Sequence, residues 1–571
     1  MAGFICNTKK VICQGPQKTL PLRTMVLPPA KSNLAIPAEV LEVLEKLTNA
    51  GFEAYAVGGC VRDLLIGRTP DDWDVTTNAR PEEIQKIFPE SFYENKFFTV
   101  TVKTGSADPV LKEIEVTTFR EEGRYEDKRH PADIRPAKSL EDDLSRRDFT
   151  VNAMALGMKS EVQNPKSETN SKFSLIDPYG GEKDLTAKLI RAVGNPERRF
   201  EEDALRMLRA VRIASQLEFT IEPMTKDAIM QNHQWLRAIS KERIRDEFSK
   251  IVMADRHDEP SGEVKFPPRY GNLTDTPLAG SRLSHVSDVG GGKAWQGLEL
   301  LQELKLLKEI IPELEEGIGC GQNKHHTYTV WEHNMRSLDY AAKQGWTLAV
   351  RIGALFHDIA KPKAKRGEGP DSTFYGHDVL GGKMAIEILS RLRYPDALID
   401  KVQKLIRWHL FRYDFEGDAV ETTDSSIRRL IRNIEVENIE DLVRVRMCDR
   451  VGSGVPKAVP YRLRHFQFRV EKVLREHEAV KVTMLQVNGE DVMKILGIAP
   501  GPKIGHILNA LLEEVLDDQK KNTRENLESR IKNLGTLSDE ELVQLREQAE
   551  ARVELLEDQR EQEIKKKYYV K

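Results

Sequence analysis

An apolar run, Ala54-Tyr-Ala-Val57, stops at Gly58-Gly59. A helical pattern follows over residues 60–65, and Asp72-Trp73-Asp74 begins thirteen residues after the glycines. Strand, double glycine, helix and second strand in so short a stretch leave few folds open. The glycines let a backbone come close to a ligand, and the N–H groups at a helix start favour an anion. The run Trp73-Asp-Val-Thr-Thr77 has strand composition. A strand sends residues i and i+2 to one face, so Asp72 and Asp74 are expected side by side, with Trp73 turned to the other side. Adjacent carboxylates repel unless a cation lies between them, which points to a divalent metal, magnesium first. A phosphate cradle beside a metal-holding pair implies chemistry on a nucleotide. Read blandly, the same residues make a tight turn and a solvated strand edge, so the rest of the chain has to decide.

With 571 residues there is room for several domains. Charged residues make up 31%, and no apolar run approaches the roughly 20 residues that span a bilayer, so a cytoplasmic protein without a membrane partner is expected. Cys6, Cys13, Cys60, Cys320 and Cys448 are scattered, without disulfide or zinc spacing, which fits a reducing compartment. The net charge of −4 neither announces nor excludes a nucleic-acid partner, because local patches decide that. Residues 1–35 carry Lys9, Lys10, Lys18, Arg23 and Lys31 among Pro and Gly and match a disordered extension better than a transit peptide.

Residues 36–191 alternate β-rich runs (97–102, 112–119 and 172–176) with helices, which predicts an α+β domain around a small mixed sheet. Beyond it the pattern is mostly all-α: a helical neck at 192–255, helices over 295–455, a helical body at 456–520 and a charged tail at 521–571. Residues 256–294 lack periodicity and read as an inserted loop. The tail is expected to form exposed or loosely paired helices.

Further segments favour nucleotide chemistry. Arg146-Arg147-Asp148 is followed closely by Asn152; guanidinium forks suit phosphate oxygens, and an amide suits a ribose hydroxyl or a base edge. Asp177-Pro-Tyr-Gly-Gly181 is a Gly-rich turn that can be no more than a turn. In Glu202-Asp203-Ala-Leu-Arg206-Met-Leu-Arg209 a single helix is expected. Leu205, Leu208 and Val211 would be inward, with Asp203, Arg206 and Arg209 at i, i+3 spacing on an adjacent face. An acceptor beside a guanidinium donor complements the edges of cytosine and adenine, whereas Glu202–Arg206 alone would be an ordinary helix ion pair. Glu113 and Glu115 share a strand face and offer a third carboxylate, Glu115 first. Residues 121–143 read as a mobile loop.

In this order and spacing GGCVRD, DDWDVTT, EVTTFR, RRDFTVNAMA, DPYGGEKDL and RFEEDALRMLRAVR closely resemble the class II tRNA nucleotidyltransferases. That family comprises the CCA-adding enzymes and their bacterial poly(A) polymerase relatives, in the DNA-polymerase-beta-like superfamily. The resemblance covers residues 37–253 and resumes over 297–527, with Val487-Asn-Gly-Glu-Asp and Pro500-Gly-Pro-Lys-Ile-Gly505 as in the bacterial form with an HD domain. It implies that Asp72 and Asp74 hold catalytic Mg2+, and that Gly58, Gly59 and Arg62 meet the triphosphate. It further implies that Arg147, Asp148 and Asn152 contact ribose and phosphates. Asp203 and Arg206 would select CTP and then ATP, with Arg209 in support. Residues 120–143 would be the flexible element used in switching from C to A, and tRNA would be the partner. The insertion departs from the family pattern.

His333, the His357-Asp358 doublet, His377, His409 and Asp449 form a spaced set in helical context. Imidazoles and carboxylates converging from several helices suit a transition metal or magnesium. The set resembles the HD phosphohydrolases, which implies phosphatase or cyclic phosphodiesterase activity on nucleotide or RNA ends. His325 and His326 read as loop residues. The expected function is template-independent CCA addition to tRNA 3′ ends. A poly(A) polymerase, an A-only adding enzyme, an HD phosphohydrolase with an RNA-binding head and a pure RNA-binding scaffold are the rivals.

Overall fold

The computed structural model describes residues 24–25, 35–94, 98–122, 134–158, 173–255, 291–323, 327–413, 422–454, 459–478, 485–517 and 519–570. It divides into two compact units, residues 1–406 with 452–454 and residues 407–451 with 455–571. The insertion at 256–290, the middle of the expected loop (123–133) and His325-His326 lie outside the described residues.

In the first unit the described strands are β1 (Thr24–Met25), β2 (Ala54–Val57), β3 (Asp74–Thr77), β4 (Ser91–Glu94), β5 (Thr99–Lys103), β6 (Glu113–Thr118), β7 (Arg120–Glu122), β8 (Ile134–Pro136), β9 (Ala155–Met158), β10 (Phe173–Ile176), β11 (Leu189–Ile190) and β12 (Thr220–Ile221). Eight of them form one mixed sheet in the order β1-β10-β9-β2-β3-β6-β5-β4. β3 is central, antiparallel to β2 and parallel to β6, and almost wholly buried, as its Val-Thr-Thr composition favours. Helix Ala38–Asn49 lays Val40, Val43, Leu44 and Leu47 into the same core as Trp73 and Val75.

The sheet departs from the sequence reading in three places. Thr24–Met25, inside the segment expected to be disordered, pairs with Ile176 and Leu175 and adds a short edge strand to β10. The Asp-Trp-Asp strand begins at Asp74 rather than Trp73. The expected loop has ordered ends: β7 and β8 form an antiparallel ladder pairing Arg120 with Pro136, followed by helix Leu140–Ser145.

Helix Leu205–Leu217 packs against Lys241–Val252 and Lys293–Glu303. The last of these begins at backbone N–H groups capped by Asp255, whose two oxygens accept from Lys293 and Ala294 at 2.6 and 2.7 Å. Helices Val330–Lys343, Leu348–Phe356 and His377–Arg391 follow. The second unit contains Asp424–Ile434, Tyr461–Glu478, Gly489–Leu496, Pro502–Asp517, Arg524–Gly535 and Asp539–Tyr568. Its tail is not loosely solvated as expected. Leu527, Ile531, Leu534 and Leu542 join Val492, Ile507 and Leu511 in one core, and Ile564 and Val570 pack on Phe468. Sparse leucines among many charges suffice when each faces a neighbouring helix. Among the described residues no helix is long and apolar enough to cross a membrane.

Candidate functional site

Strand register assembles the first site. Asp74 stands opposite Val57 of β2 and, across the parallel pair, opposite Glu115 of β6. The chain leaves β2 through Gly58, whose φ of +82° an L side chain rarely adopts, and enters helix Gly59–Leu65. A Cβ on Gly58 would lie 2.5 Å from Arg147 Nη1 and 3.7 Å from Asp74 Oδ2, while one on Gly59 would lie 3.8 Å from Asp72 Oδ1. Both aspartates therefore face the glycines, and Trp73 is buried in the core on the other side, as the i, i+2 argument requires. Burial raises the Asp74 carboxyl to about 6. Asp72 and Glu115 push in the same direction against the lowering field of Arg147.

The phosphate- and ribose-type residues are largely engaged with one another. Arg62 donates to both Asp63 oxygens at 2.8 Å and to Asn152 Oδ1 at 2.8 Å. Asn152 donates to Asp148 Oδ1 at 3.0 Å, and Arg209 Nε donates to Asp148 Oδ2 at 2.7 Å. Burial alone would raise the Asp148 carboxyl, but the Arg209 guanidinium and the Asn152 hydrogen bond hold it well below the usual range. Arg147 is different. Its Nε has no hydrogen-bond partner among the described residues, and its nearest carboxylate, Asp143, is 3.7 Å away.

The segment expected to read the base does not form the single helix expected. Helix Pro196–Glu202 ends, Asp203 is extended (φ −144°, ψ 105°), and a second helix starts at Leu205. Asp203 accepts from Leu205 N at 3.0 Å, as an Asp does before a helix start. It also takes the Arg243 fork at 2.7 and 3.3 Å. Arg206 is buried, donating to Glu202 at 2.6 Å and to the Arg199 and Arg146 carbonyls. The i, i+3 row of Asp203, Arg206 and Arg209 is thus replaced by three separate pairings. The Asp177 turn is structural: its carboxylate caps Gly181 and Glu182, and Gly180 supplies the left-handed residue.

Sequence reasoning missed Asp143, Arg243 and Glu247. Asp143 and Glu247 are buried carboxylates; Asp143 bonds Arg146, and Glu247 lies against Arg212. The i, i+4 spacing of Arg243 and Glu247 beside an apolar stripe was the only signal, and it is shared by ordinary surface helices.

In the second constellation, His333, His357, Asp358 and His377 come together in the first unit and are all buried. Asp358 Oδ2 lies 3.1 Å from His333 Nε2 and 3.3 Å from His357 Nε2, and its Oδ1 lies 3.3 Å from His377 Nε2. Lys361 is 2.6 Å from Asp358. Burial opposes charge on Asp358, yet Lys361 and the imidazoles hold its carboxyl well below the usual value. His357 and His377 each set one ring nitrogen, Nδ1, against a backbone carbonyl, at 2.8 and 2.7 Å, which orients Nε2 toward the carboxylate. His409 and Asp449, also buried, belong to the second unit.

The "Poly A polymerase head domain" model matches residues 54–191, the "HD domain" model residues 330–445, and the "tRNA nucleotidyltransferase domain 2" model residues 457–531. The CCA-adding enzyme of Lactobacillus helveticus is 30% identical over 500 residues, 87% of this chain and 97% of that protein. That of Lactobacillus gasseri is 47% identical over 216 residues, 38% of this chain and 50% of that protein. A solved Bacillus stearothermophilus CCA-adding enzyme in complex with CTP is similar at 26% identity and a TM-score of 0.48, covering 87% of this chain and 96% of that one. With a relative 30% identical and matched over 97% of its length, and a poly(A) polymerase head model matching residues 54–191, the protein belongs to the CCA-adding enzyme family of nucleotidyltransferases.

Proposed function

We propose that the protein adds C, C and A in turn to tRNA 3′ ends, without a nucleic-acid template, from CTP and ATP. The observation that carries this is the facing of Asp72 and Asp74 toward Gly58-Gly59, with Glu115 in register and Arg147 alongside. Three hard oxygen donors, one of them lifted in pKa by burial and by its acidic neighbours, are a donor set that fits Mg2+. When bound there, magnesium would favour the ionised RNA 3′-hydroxyl and stabilise charge on the departing pyrophosphate.

In the reaction the 3′-oxygen forms a bond to the α-phosphorus while the bond to pyrophosphate breaks. Gly58, lacking a side chain, lets the triphosphate approach, and Arg147 offers its donors to phosphate oxygens. The Arg62–Asn152–Asp148–Arg209 chain fixes the floor on which ribose rests. Asp203 accepts from the exocyclic amine of cytosine or adenine, and Arg206 donates to the ring nitrogen after releasing Glu202. Asp72→Ala and Asp74→Ala should each abolish addition, read by end-sequencing of a tRNA lacking CCA after incubation with all four nucleotides. Normal addition by either variant refutes the assignment. With CTP alone, a CCA-adding enzyme extends that tRNA by two residues, whereas a poly(A) polymerase or an A-only enzyme leaves it unchanged.

The buried imidazole–carboxylate cluster favours a second activity in the same chain, metal-dependent phosphohydrolysis of nucleotide or RNA ends. His333, His357, Asp358 and His377 would be ligands. Imidazole with carboxylate suits a divalent transition metal or Mg2+. His357→Ala should remove hydrolysis of a terminal or cyclic phosphate and leave nucleotide addition intact.

A further inference from the structure

We infer that Asp143 is a positioning residue for nucleotide addition: it holds the Arg147 guanidinium beside Asp74 without consuming the donors that Arg147 turns toward phosphate. The inference rests on the reading above that Arg147 meets the triphosphate.

Asp143 is fully buried in helix Leu140–Ser145, and a buried carboxylate is tolerated only when charge and hydrogen bonds compensate it. Its two oxygens have different surroundings. Oδ1 accepts from Arg146 Nε at 3.1 Å and Nη2 at 2.8 Å, with the Arg120 backbone N–H at 3.4 Å. Oδ2 receives no such fork; it faces Thr76 Oγ1 at 3.5 Å and Arg147 Nη2 at 3.7 Å. The second distance is that of an ion pair and too long for a hydrogen bond.

Adjacent arginines therefore divide the work. Arg146 is spent on Asp143. Arg147 is held by charge alone on one side, and its Nη1 reaches the space beside Gly58. Thr76 follows Asp74 by two residues on β3 and so shares its face; its hydroxyl donates to the Thr117 carbonyl at 3.2 Å and lies 3.5 Å from Asp143 Oδ2, which sets the carboxylate beside the strand that carries Asp74. Arg120, the first residue of β7, brings the base of the hairpin to the same carboxylate. A group that merely neutralised Arg146 would need only Oδ1, whereas the placement of Oδ2 between Thr76 and Arg147 serves Arg147.

The test is steady-state addition of CTP to tRNA lacking CCA and of ATP to tRNA ending in CC. It uses full-length wild type, Asp143→Asn, Arg147→Ala and the double variant, with thermal unfolding of each. Asp143→Asn keeps the shape and the Oδ1 acceptor but removes the charge. We expect its KM for both nucleotides to rise about ten-fold or more in the wild-type background and less than two-fold once Arg147 is gone. Loss of stability alone would lower activity equally in both backgrounds and would overturn the inference, as would an unchanged KM. If Arg147→Ala itself leaves KM unchanged, the reading beneath the inference fails instead. Should Asp143→Asn not fold, Asp143→Glu keeps the charge and displaces it by one methylene. The same dependence on Arg147 is then expected, and an equal effect without Arg147 refutes it.

Discussion

Gly58→Ala separates two costs that a glycine-rich cradle usually mixes. Gly58 has φ +82° with ψ −132°, outside the left-handed helical well, and Gly51 has φ +88°, so alanine costs about 1–3 kcal/mol of backbone strain at Gly58 and about 1–2 kcal/mol at Gly51. Restricting the unfolded chain returns about 0.4–1 kcal/mol at each. The net destabilisation should therefore be about 1 kcal/mol at Gly51 and about 1–2 kcal/mol at Gly58. The surroundings are not alike. Nothing lies within 4 Å of a Cβ at Gly51, but one at Gly58 would be 2.5 Å from Arg147 Nη1. Ordinary carbon contacts need about 3.5–4.0 Å, so the guanidinium must retreat by roughly 1 Å. A displacement of that size in a positioning group can cost about 10²-fold in rate. The assay is CTP addition to tRNA lacking CCA, with thermal unfolding of both variants. Gly51→Ala should keep near wild-type activity and Gly58→Ala should lose about two orders of magnitude, with both variants folded at the assay temperature and Gly58→Ala melting at or slightly below Gly51→Ala. Wild-type activity in Gly58→Ala would refute the reasoning, because Arg147 would then not have been needed where it stands.

Arg209→Met strips the buried Asp148 of its counter-charge and should destabilise the protein by about 3 kcal/mol. In wild type the depressed Asp148 carboxyl contributes stability that is present above its unfolded pKa of about 3.9 and is lost as pH falls further. Without Arg209, burial raises Asp148, so the deficit should narrow as pH falls from 8 to 5, and Asp148→Asn in the Arg209→Met background should recover part of it. Melting curves at both pH values check this, and a deficit independent of pH rules it out. Excision of residues 257–289 behind a short glycine-serine linker should leave melting temperature and CTP addition within two-fold of wild type. Asp255 already contacts Lys293 N at 2.6 Å, so the ends are held together without the intervening chain. Loss of folded protein would show that the insertion contributes to the core.

The strand that carries Asp74 was legible because its logic is local. The steric freedom of Gly58 and the short span from Asp72 to Asp74 act over a few residues, and both aspartates face the glycines as expected, although Asp72 precedes the strand. Glu115 was legible as a carboxylate on a strand face, and its parallel register with Asp74 supplied the rest. The single helix expected around Asp203 was misread. Helical periodicity runs unbroken through Asp203, yet Asp203 prefers to cap Leu205 N and to take the Arg243 fork. That competition is invisible to a pattern counted along one chain segment. The tail was misread for a related reason: its few leucines count only where a neighbouring helix covers them.

Residue order alone determined the chemistry available, with carboxylates on strands, glycines at a turn, paired arginines and a spaced His-Asp set, together with the family that combination resembles. Folding decided who holds whom. Arg209 meets Asp148 across 61 residues, Arg62 meets Asn152 across 90, and Arg243 takes Asp203 across 40. A guanidinium buried near several acceptors bonds whichever the packing brings within about 3 Å. That choice depends on the relative placement of sheet and helices, which no local periodicity encodes.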